Sequence, residues 1–293
     1  MKFDTVLVRY GEIGLKSVQT RPIFEKRLVS NIKKLLNKHS IEYKDLFREW
    51  GRVYIKTEDE NTLPLLKTVF GVVSFSPAAT CKADISEISK LSTKIAVKKL
   101  VGDDTFAVRA TRQGAHAFKS KDIKMKVGAD IQKATKAGVN LNEPSHEVFV
   151  EVRNKKAYVF VEKQAGPGGI PQGVEGNVLG VFIEGEPFQA AAVLMAKRGC
   201  EIEAVIEKDL DLSKLKHWLG DFKVHTVDSG KDIYKEAERI TKQRELKAVF
   251  TADTLTKDNL DNIQKFKKLK LEVPVFRPLI GLNEKQIKQL SNL

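Results

Sequence analysis

The stretch VLGVFIEGEPFQAAAVLMAKRGCEIEAV (178–205) has the residue order of a strand, a turn, a helix and a second strand. In parallel α/β proteins such a turn can hold a phosphate. Glycines let backbone N–H groups approach the oxygens, and the helix N-terminus favours negative charge. Here the turn reads Ile183-Glu184-Gly185-Glu186-Pro187-Phe188-Gln189, so its one glycine stands between two carboxylates. A glutamate ~4 Å from a phosphate charge contributes about 4 kcal/mol of repulsion at an effective dielectric near 20. Pro187 has no N–H to offer, although its ring suits the first position of a helix. Magnesium bridging Glu184 or Glu186 to phosphate is the one chemical rescue.

A second group of residues points to phosphate from another direction. In TFAVRATRQGAHAFKSKDIKMKVGADI (105–131), Arg109 and Arg112 flank a strand end, and Lys119, Lys121, Lys124 and Lys126 follow closely. Arginine presents a planar fork to phosphate oxygens, and clustered lysines add unspecific attraction. His116 and Phe118 have the ring chemistry to stack on a single-stranded base, but packing is the preferred reading of His116. In VRYGEIGLKS (8–17), Arg9, Glu12 and Lys16 have the charges for an internal ionic network. Arg9 and Lys16 also qualify as RNA contacts. The two cysteines, Cys81 and Cys200, have no metal-ligand spacing, and Cys200 reads as packing before a core strand. No catalytic residue and no metal site is assigned.

The charge is concentrated. Of 51 basic and 38 acidic residues, 31 and 19 precede Gly166, so residues 1–165 carry +12 and the remainder +1. This asymmetry suggests a polyanion-binding module joined to a near-neutral one. A lysine-rich surface habit would not leave the second half balanced. With 293 residues the chain has room for two or three domains. No apolar run reaches the ~18 residues of a membrane span, the N-terminus lacks signal-peptide character, and free cysteines suit a reducing cytoplasm.

The elements that would position these groups follow from periodicity. Thr5–Tyr10 alternates as a strand, and Phe24, Leu28, Ile32 and Leu35 share one helical face within 21–38. A hairpin turning near Gly51, a short helix ended by Gly71 and a strand VVSFSPA follow. A helix from Ile85 to about Leu100, the strand TFAVRATR, a helix over 121–137 stopped by Gly138, and a hairpin turning at Asn154-Lys155 make a second unit. KQAGPGGIPQGVEGN (163–177) reads as a linker. Beyond it, strands at about 178–183, 202–207, 222–227 and 247–251 alternate with helices at about 187–198, 211–219, 231–244 and 257–269. Such alternation predicts a parallel sheet that binds ligands at its carboxyl edge.

Several of these segments resemble one family. VRYGEIGLKS is similar to the opening of tRNA 4-thiouridine synthetases, a family with members tied to thiamine biosynthesis. FAVRATR resembles the signature of their RNA-binding THUMP domain. GPGGIPQGVEGNVL resembles their linker, AAAVLMAKRGCEIEAV the helix and strand after their ATP loop, and VFRPLIGLNEKQI (275–287) their C-terminal motif. The resemblance implies an α/β and α+β chain: an N-terminal ferredoxin-like domain (1–75), a THUMP domain (76–164), a Gly/Pro linker (165–176) and a Rossmann-like parallel sheet of the ATP pyrophosphatase type (177–293). It implies tRNA and a sulfur-donor or catalytic protein as partners, ATP with magnesium as cofactor, and a homodimer. Active members adenylate a uridine with ATP, and a persulfide sulfur then displaces AMP.

By the same resemblance Val181, Phe182, Gly185, Ile206, Glu207 and Ala252 take the ATP-lining positions. The family loop, Ser-Gly-Gly-x-Asp-Ser-Pro, survives here only at Gly185. TADTL (251–255) stands where the family has Thr-Gly-Glu-Ser-Leu, and the segment that often carries a sulfur-handling cysteine, DSGKDIYKEAERI, has none. The leading expectation is a tRNA-binding family member with weak or lost sulfurtransferase activity. The alternatives are an active 4-thiouridine-forming enzyme with an altered loop, and a protein with a different small-molecule ligand at the sheet edge.

Overall fold

The structure, a computed structural model, describes residues 2–49, 51–184, 187–207, 210–228, 230–255 and 271–291. The strands are β1 (Thr5–Arg9), β2 (Asp45–Glu49), β3 (Arg52–Lys56), β4 (Ser74–Lys82), β5 (Thr105–Gln113), β6 (Gly138–Val139), β7 (His146–Arg153), β8 (Lys156–Phe160), β9 (Gln164–Ala165), β10 (Gly176–Phe182), β11 (Cys200–Ile206), β12 (Val224–Thr226), β13 (Val249–Phe250) and β14 (Val275–Phe276). The helices are α1 (Arg21–Lys38), α2 (Thr62–Leu66), α3 (Ile85–Ala96), α4 (Ser120–Thr135), α5 (Phe188–Lys197), α6 (Ser213–Leu219), α7 (Ile233–Gln243) and α8 (Glu284–Ser291). Two compact units result. One comprises Met1–Arg9, Ser40–Leu63 and Ser74–Ala165, and the other Tyr10–His39, Pro64–Val73 and Gly166–Leu293.

The first unit is built on one nine-stranded sheet in the order β2-β3-β1-β4-β8-β7-β5-β6, with β9 also paired to β4. Strand β4 makes it continuous: Ser74–Ala78 pair with β1, and Ala79–Lys82 pair with β8. Gly51, at φ +74°, supplies the left-handed turn between β2 and β3. Asn154, at φ +49°, does the same between β7 and β8, a conformation asparagine tolerates. Helices α3 and α4 cover one face. Asp84 caps α3 by accepting the Ser86 and Glu87 amides, and Ile123, Val127 and Ile131 recur every four residues to bury one side of α4. These side chains pack with Phe106, Val108, Val148 and Val150. Lys136, left-handed at φ +63°, ends α4; Gly138, the expected stop, instead opens β6.

The opposite face carries an aromatic ladder and a buried ion cluster. Tyr54 stands between Phe47 (ring centroids 5.1 Å) and Tyr158 (5.2 Å). Glu151 on β7 accepts from Arg9 Nε (3.1 Å) and Nη2 (2.7 Å), from Arg52 Nε (3.4 Å) and from Arg153 Nη2 (3.3 Å). Strands sit about 4.8 Å apart, so β3, four places from β7 in the order, would lie about 19 Å away in a flat sheet. A 3.4 Å contact between their side chains therefore requires the sheet to curl over this face. Burial pushes the Glu151 carboxyl up, but Arg9, Arg52 and Arg153 overrule it and hold it below the usual glutamate range.

The second unit holds a five-stranded parallel sheet, β12-β11-β10-β13-β14. The Gly/Pro segment before it is fixed by hydrogen bonds. The Gly168 amide donates to Val72 O, the Gly173 amide to Gly199 O, Arg27 Nη2 to Gly173 O and Asn31 Nδ2 to Gln172 O. Gly169 is required: at φ +74°, a Cβ would lie 2.2 Å from Lys197 O. The expected strands and helices of this half are present within a few residues, except the helix over 257–269, which lies outside the described residues.

The buried ion cluster makes a direct prediction. Glu151→Ala leaves the Arg9 guanidinium, only 8% exposed, without its carboxylate and should cost about 3–5 kcal/mol in urea unfolding of the full chain. A loss under about 1 kcal/mol would contradict the assigned role. Because the folded carboxyl titrates below its unfolded value, this contribution is present above the unfolded pKa of about 4.3 and is lost as pH falls through the folded one.

Candidate functional site

Helix α4 places its lysines by elementary periodicity. With Ile123, Val127 and Ile131 turned inward, Lys121 and Lys124 lie on the outer face, and exposed Lys119 stands at the N-cap with its amide donating to Asp122 Oδ2 at 2.7 Å. These three form no ion pair among the described residues. Lys126, also exposed, pairs with Asp130 at 2.8 Å. That pairing, with the Ser89 hydroxyl bond, holds the Asp130 carboxyl below its usual range.

The two arginines on β5 are more constrained. Arg109 donates from Nε to Glu147 (2.6 Å) and from Nη2 to Leu141 O (2.8 Å). Arg112 donates to Gly114 O (2.7 Å) and faces His116 Nδ1 at 3.3 Å. His116 Nε2 lies 2.6 Å from Asn154 O. The partners assign the tautomer: Nε2 donates to the carbonyl, and Nδ1 accepts from Arg112. His116 is thus a structural group, as its sequence context suggested.

The RNA assignments near the N-terminus need correction for Arg9. Its guanidinium is buried on Glu151 and lies 4.9 Å over the Phe160 ring, so it is not a surface contact. The internal network expected among Arg9, Glu12 and Lys16 does not form. Glu12 instead accepts from Arg198 (3.1 Å), and Lys16 lies 4.9 Å over the Phe24 ring. Sequence could not pair Arg9 with Glu151, because 142 residues separate them.

The carboxyl edge of the parallel sheet has a different character. Strand β10 ends at Phe182, Ile183 is half-buried and Glu184 exposed, while Gly185 and Glu186 lie outside the described residues. Pro187 occupies the N-cap of α5 with no side-chain cap. Phe188, on the first turn of that helix, stacks on Phe182 at 4.8 Å, and Phe182 meets Phe250 edge-on at 5.9 Å. Gly180 leaves space for these rings: a Cβ there would lie 2.5 Å from Phe182 and 2.6 Å from Phe250. The side chains of Val181, Phe182, Ile206 and Ala252 are all core, so at those assigned positions only backbone remains for a ligand, and Glu207 is exposed.

At the ends of β13 and β14, buried Asp253 accepts from Thr251 Oγ1 (2.7 Å) and Arg277 Nε (3.0 Å). Arg277 thereby ties these two strand ends together. Asp253 was missed; the signal was a carboxylate inside TADTL, two residues beyond a strand.

Neither thiol is poised as a nucleophile. Burial first, then Glu87, Asp4 and Asp84, push Cys81 up to about 12, and burial raises Cys200 as well. Cys200 is buried at the start of β11, at the opposite end of that strand from the carboxyl edge. Among the described residues no cluster of histidine, cysteine and carboxylate side chains could hold a metal ion. No described helix is long and apolar enough to cross a membrane.

Comparison with known proteins agrees with this architecture. Residues 5–76 match the ThiI ferredoxin-like domain and residues 82–162 the THUMP domain. The chain is 33% identical to a probable tRNA sulfurtransferase of Thermococcus kodakarensis, over 99% of its own length and 87% of the relative's. It is 30% identical to a probable tRNA sulfurtransferase of Methanosarcina acetivorans, over 98% and 80%. The crystal structure of PH1313 from Pyrococcus horikoshii Ot3 matches with a TM-score of 0.84 at 31% identity, covering 99% of this chain and 98% of that one. A 4-thiouridine synthetase crystallised with RNA and bound ATP matches with a TM-score of 0.81 at 25% identity, covering 99% and 84%. With its ferredoxin-like and THUMP domains, its parallel C-terminal sheet and full-length relatives at this identity, the chain belongs to the tRNA sulfurtransferase family.

Proposed function

We propose that this chain is a tRNA-binding member of the family in which ATP-dependent uridine thiolation is weak or lost. The observation that carries the second half of this reading is the aromatic block at the β10–α5 turn. Phe182, Phe188 and Phe250 pack together beside the position where a phosphate loop would present its amides, and the loop's remaining side chains include exposed Glu184. An apolar, partly anionic turn opposes a triphosphate by both desolvation and charge. The high thiol pKa values support the same reading, since persulfide chemistry runs through a thiolate.

Magnesium-ATP therefore remains a family cofactor without a fitting cradle here, and no reaction step is assigned through it. RNA binding is supported by the +12 charge of residues 1–165, by the outer face of α4 and by the RNA held by the related 4-thiouridine synthetase. A cytoplasmic location, a catalytic or sulfur-donor protein partner, a homodimer and a thiamine link are extensions from the family. A tRNA binder without chemistry of its own would act beside such a partner.

Two measurements test the halves separately. Incubation with tRNA and magnesium-ATP should release pyrophosphate at or barely above the no-protein background; tRNA-dependent release of many equivalents per chain would establish the active-enzyme alternative. Filter binding of tRNA across a salt series should give a steep negative slope of log affinity against log salt. The triple change Lys119→Gln, Lys121→Gln, Lys124→Gln should flatten that slope by about two. An unchanged slope would remove α4 from the RNA surface.

A further inference from the structure

The curled face of the nine-stranded sheet carries a trough that the α4 surface and the carboxyl edge of the parallel sheet leave unexplained. It consists of two adjoining cavities within the first unit, about 1000 Å³ and about 240 Å³, that share Lys156 and Tyr158 as lining. The larger is flanked by Lys82, Arg153 and Lys155, the smaller by Lys44 and Lys56. Three of these lysines crowd one another. Lys82 and Lys156 are directly opposite in the β4–β8 ladder, an arrangement that like charges disfavour. The Lys56 ammonium sits beside that of Lys156 and, together with burial, holds it below the usual lysine value.

The nearby carboxylates, Glu58 of the smaller cavity among them, offset this crowding only in part: Glu49 and Asp4 act to raise the Lys156 ammonium, but Lys56 and burial outweigh them. Asp4 accepts the Thr80 amide and hydroxyl, Asp84 caps α3, and Glu49 accepts from Asn154. Among the described residues Lys56, Lys82 and Lys156 have no ion-pair partner. Unpaired ammonium groups crowded around an open cavity are the complement of an acceptor-rich anion.

We infer that this trough binds phosphate groups, with Lys56 and Lys156 around one and Lys82 and Lys155 around a second. A phosphate brings three or four acceptor oxygens and the negative charge that the crowded lysines lack. Two cavities joined at Lys156 suit either consecutive phosphates of a nucleic-acid strand or a free polyphosphate. The inference does not rest on the tRNA reading. The trough lies apart from the α4 lysines, and a free phosphate would fill it equally well.

Calorimetric titration of the full chain with inorganic phosphate, pyrophosphate and single-stranded tetrauridylate tests it. The wild-type chain should bind at least one of the three. Lys56→Gln with Lys156→Gln should weaken that binding at least tenfold, Lys56→Arg with Lys156→Arg should retain it, and Lys121→Gln with Lys124→Gln on α4 should leave it within twofold. Tetrauridylate binding more tightly than pyrophosphate assigns the site to a strand; the reverse order assigns it to a free polyphosphate. Both orders support the proposal. A wild-type chain that binds none of the probes at millimolar concentration, or a glutamine double variant with unchanged affinity and melting temperature, would overturn it. Loss of the α4 effect on tRNA alone would leave this site standing, which separates the two failures.

Discussion

Glu151 sits where three guanidiniums converge, and the geometry of the whole first unit is tied to that convergence. Its partners come from β7 itself and from β1 and β3, three and four places away in the strand order, a span that a flat sheet would not let these side chains cross. The sheet must bend to satisfy the buried carboxylate, and in bending it forms the face on which the aromatic ladder stacks and the lysine-lined trough opens. Removing a charge from such a cluster is costly because the rest of the cluster stays buried. The same constraint explains why Arg9, which by residue type looks like an RNA contact, is withdrawn from the surface.

The two halves of the chain use charge in opposite ways. In the first, an apolar stripe on α4 turns an excess of lysine outward, and the pairing of carboxylates within the fold leaves ammonium groups over. In the second, the turn sequence keeps one glycine between two glutamates, and Phe182, Phe188 and Phe250 pack together beside it. The parallel sheet itself is intact, since its strands depend on alternating βα packing and not on the loop. A fold can persist while the site on its edge changes, and family membership by itself does not carry chemistry to that edge.

Much of this was legible before any coordinates. The hairpins at Gly51 and Asn154, the buried stripe of α4 and the strict alternation after Gly176 all follow from local periodicity and turn chemistry, which a linear sequence records well. The loop's departure from the family residues was legible too, because it is a matter of residue types at consecutive positions. What escaped was non-local. The sharing of β4 between β1 and β8, the pairing of Arg9 with Glu151, and the meeting of Lys56, Lys82 and Lys156 each join residues dozens of positions apart. The end of α4 was misplaced because Lys136 takes a left-handed conformation normally reserved for glycine. The segment 163–177 reads as a linker by composition, yet its glycines serve close packing against Lys197 and Val72.

The central claim is that the β10–α5 turn no longer presents amides to a triphosphate. Amide chemical-shift mapping with magnesium-ATP reads those groups one by one, independently of any phosphate bound at the lysine trough. The account predicts that the amides of Glu184 and of Phe188 to Ala191 stay unmoved through millimolar nucleotide. Saturable shifts at those amides would contradict it.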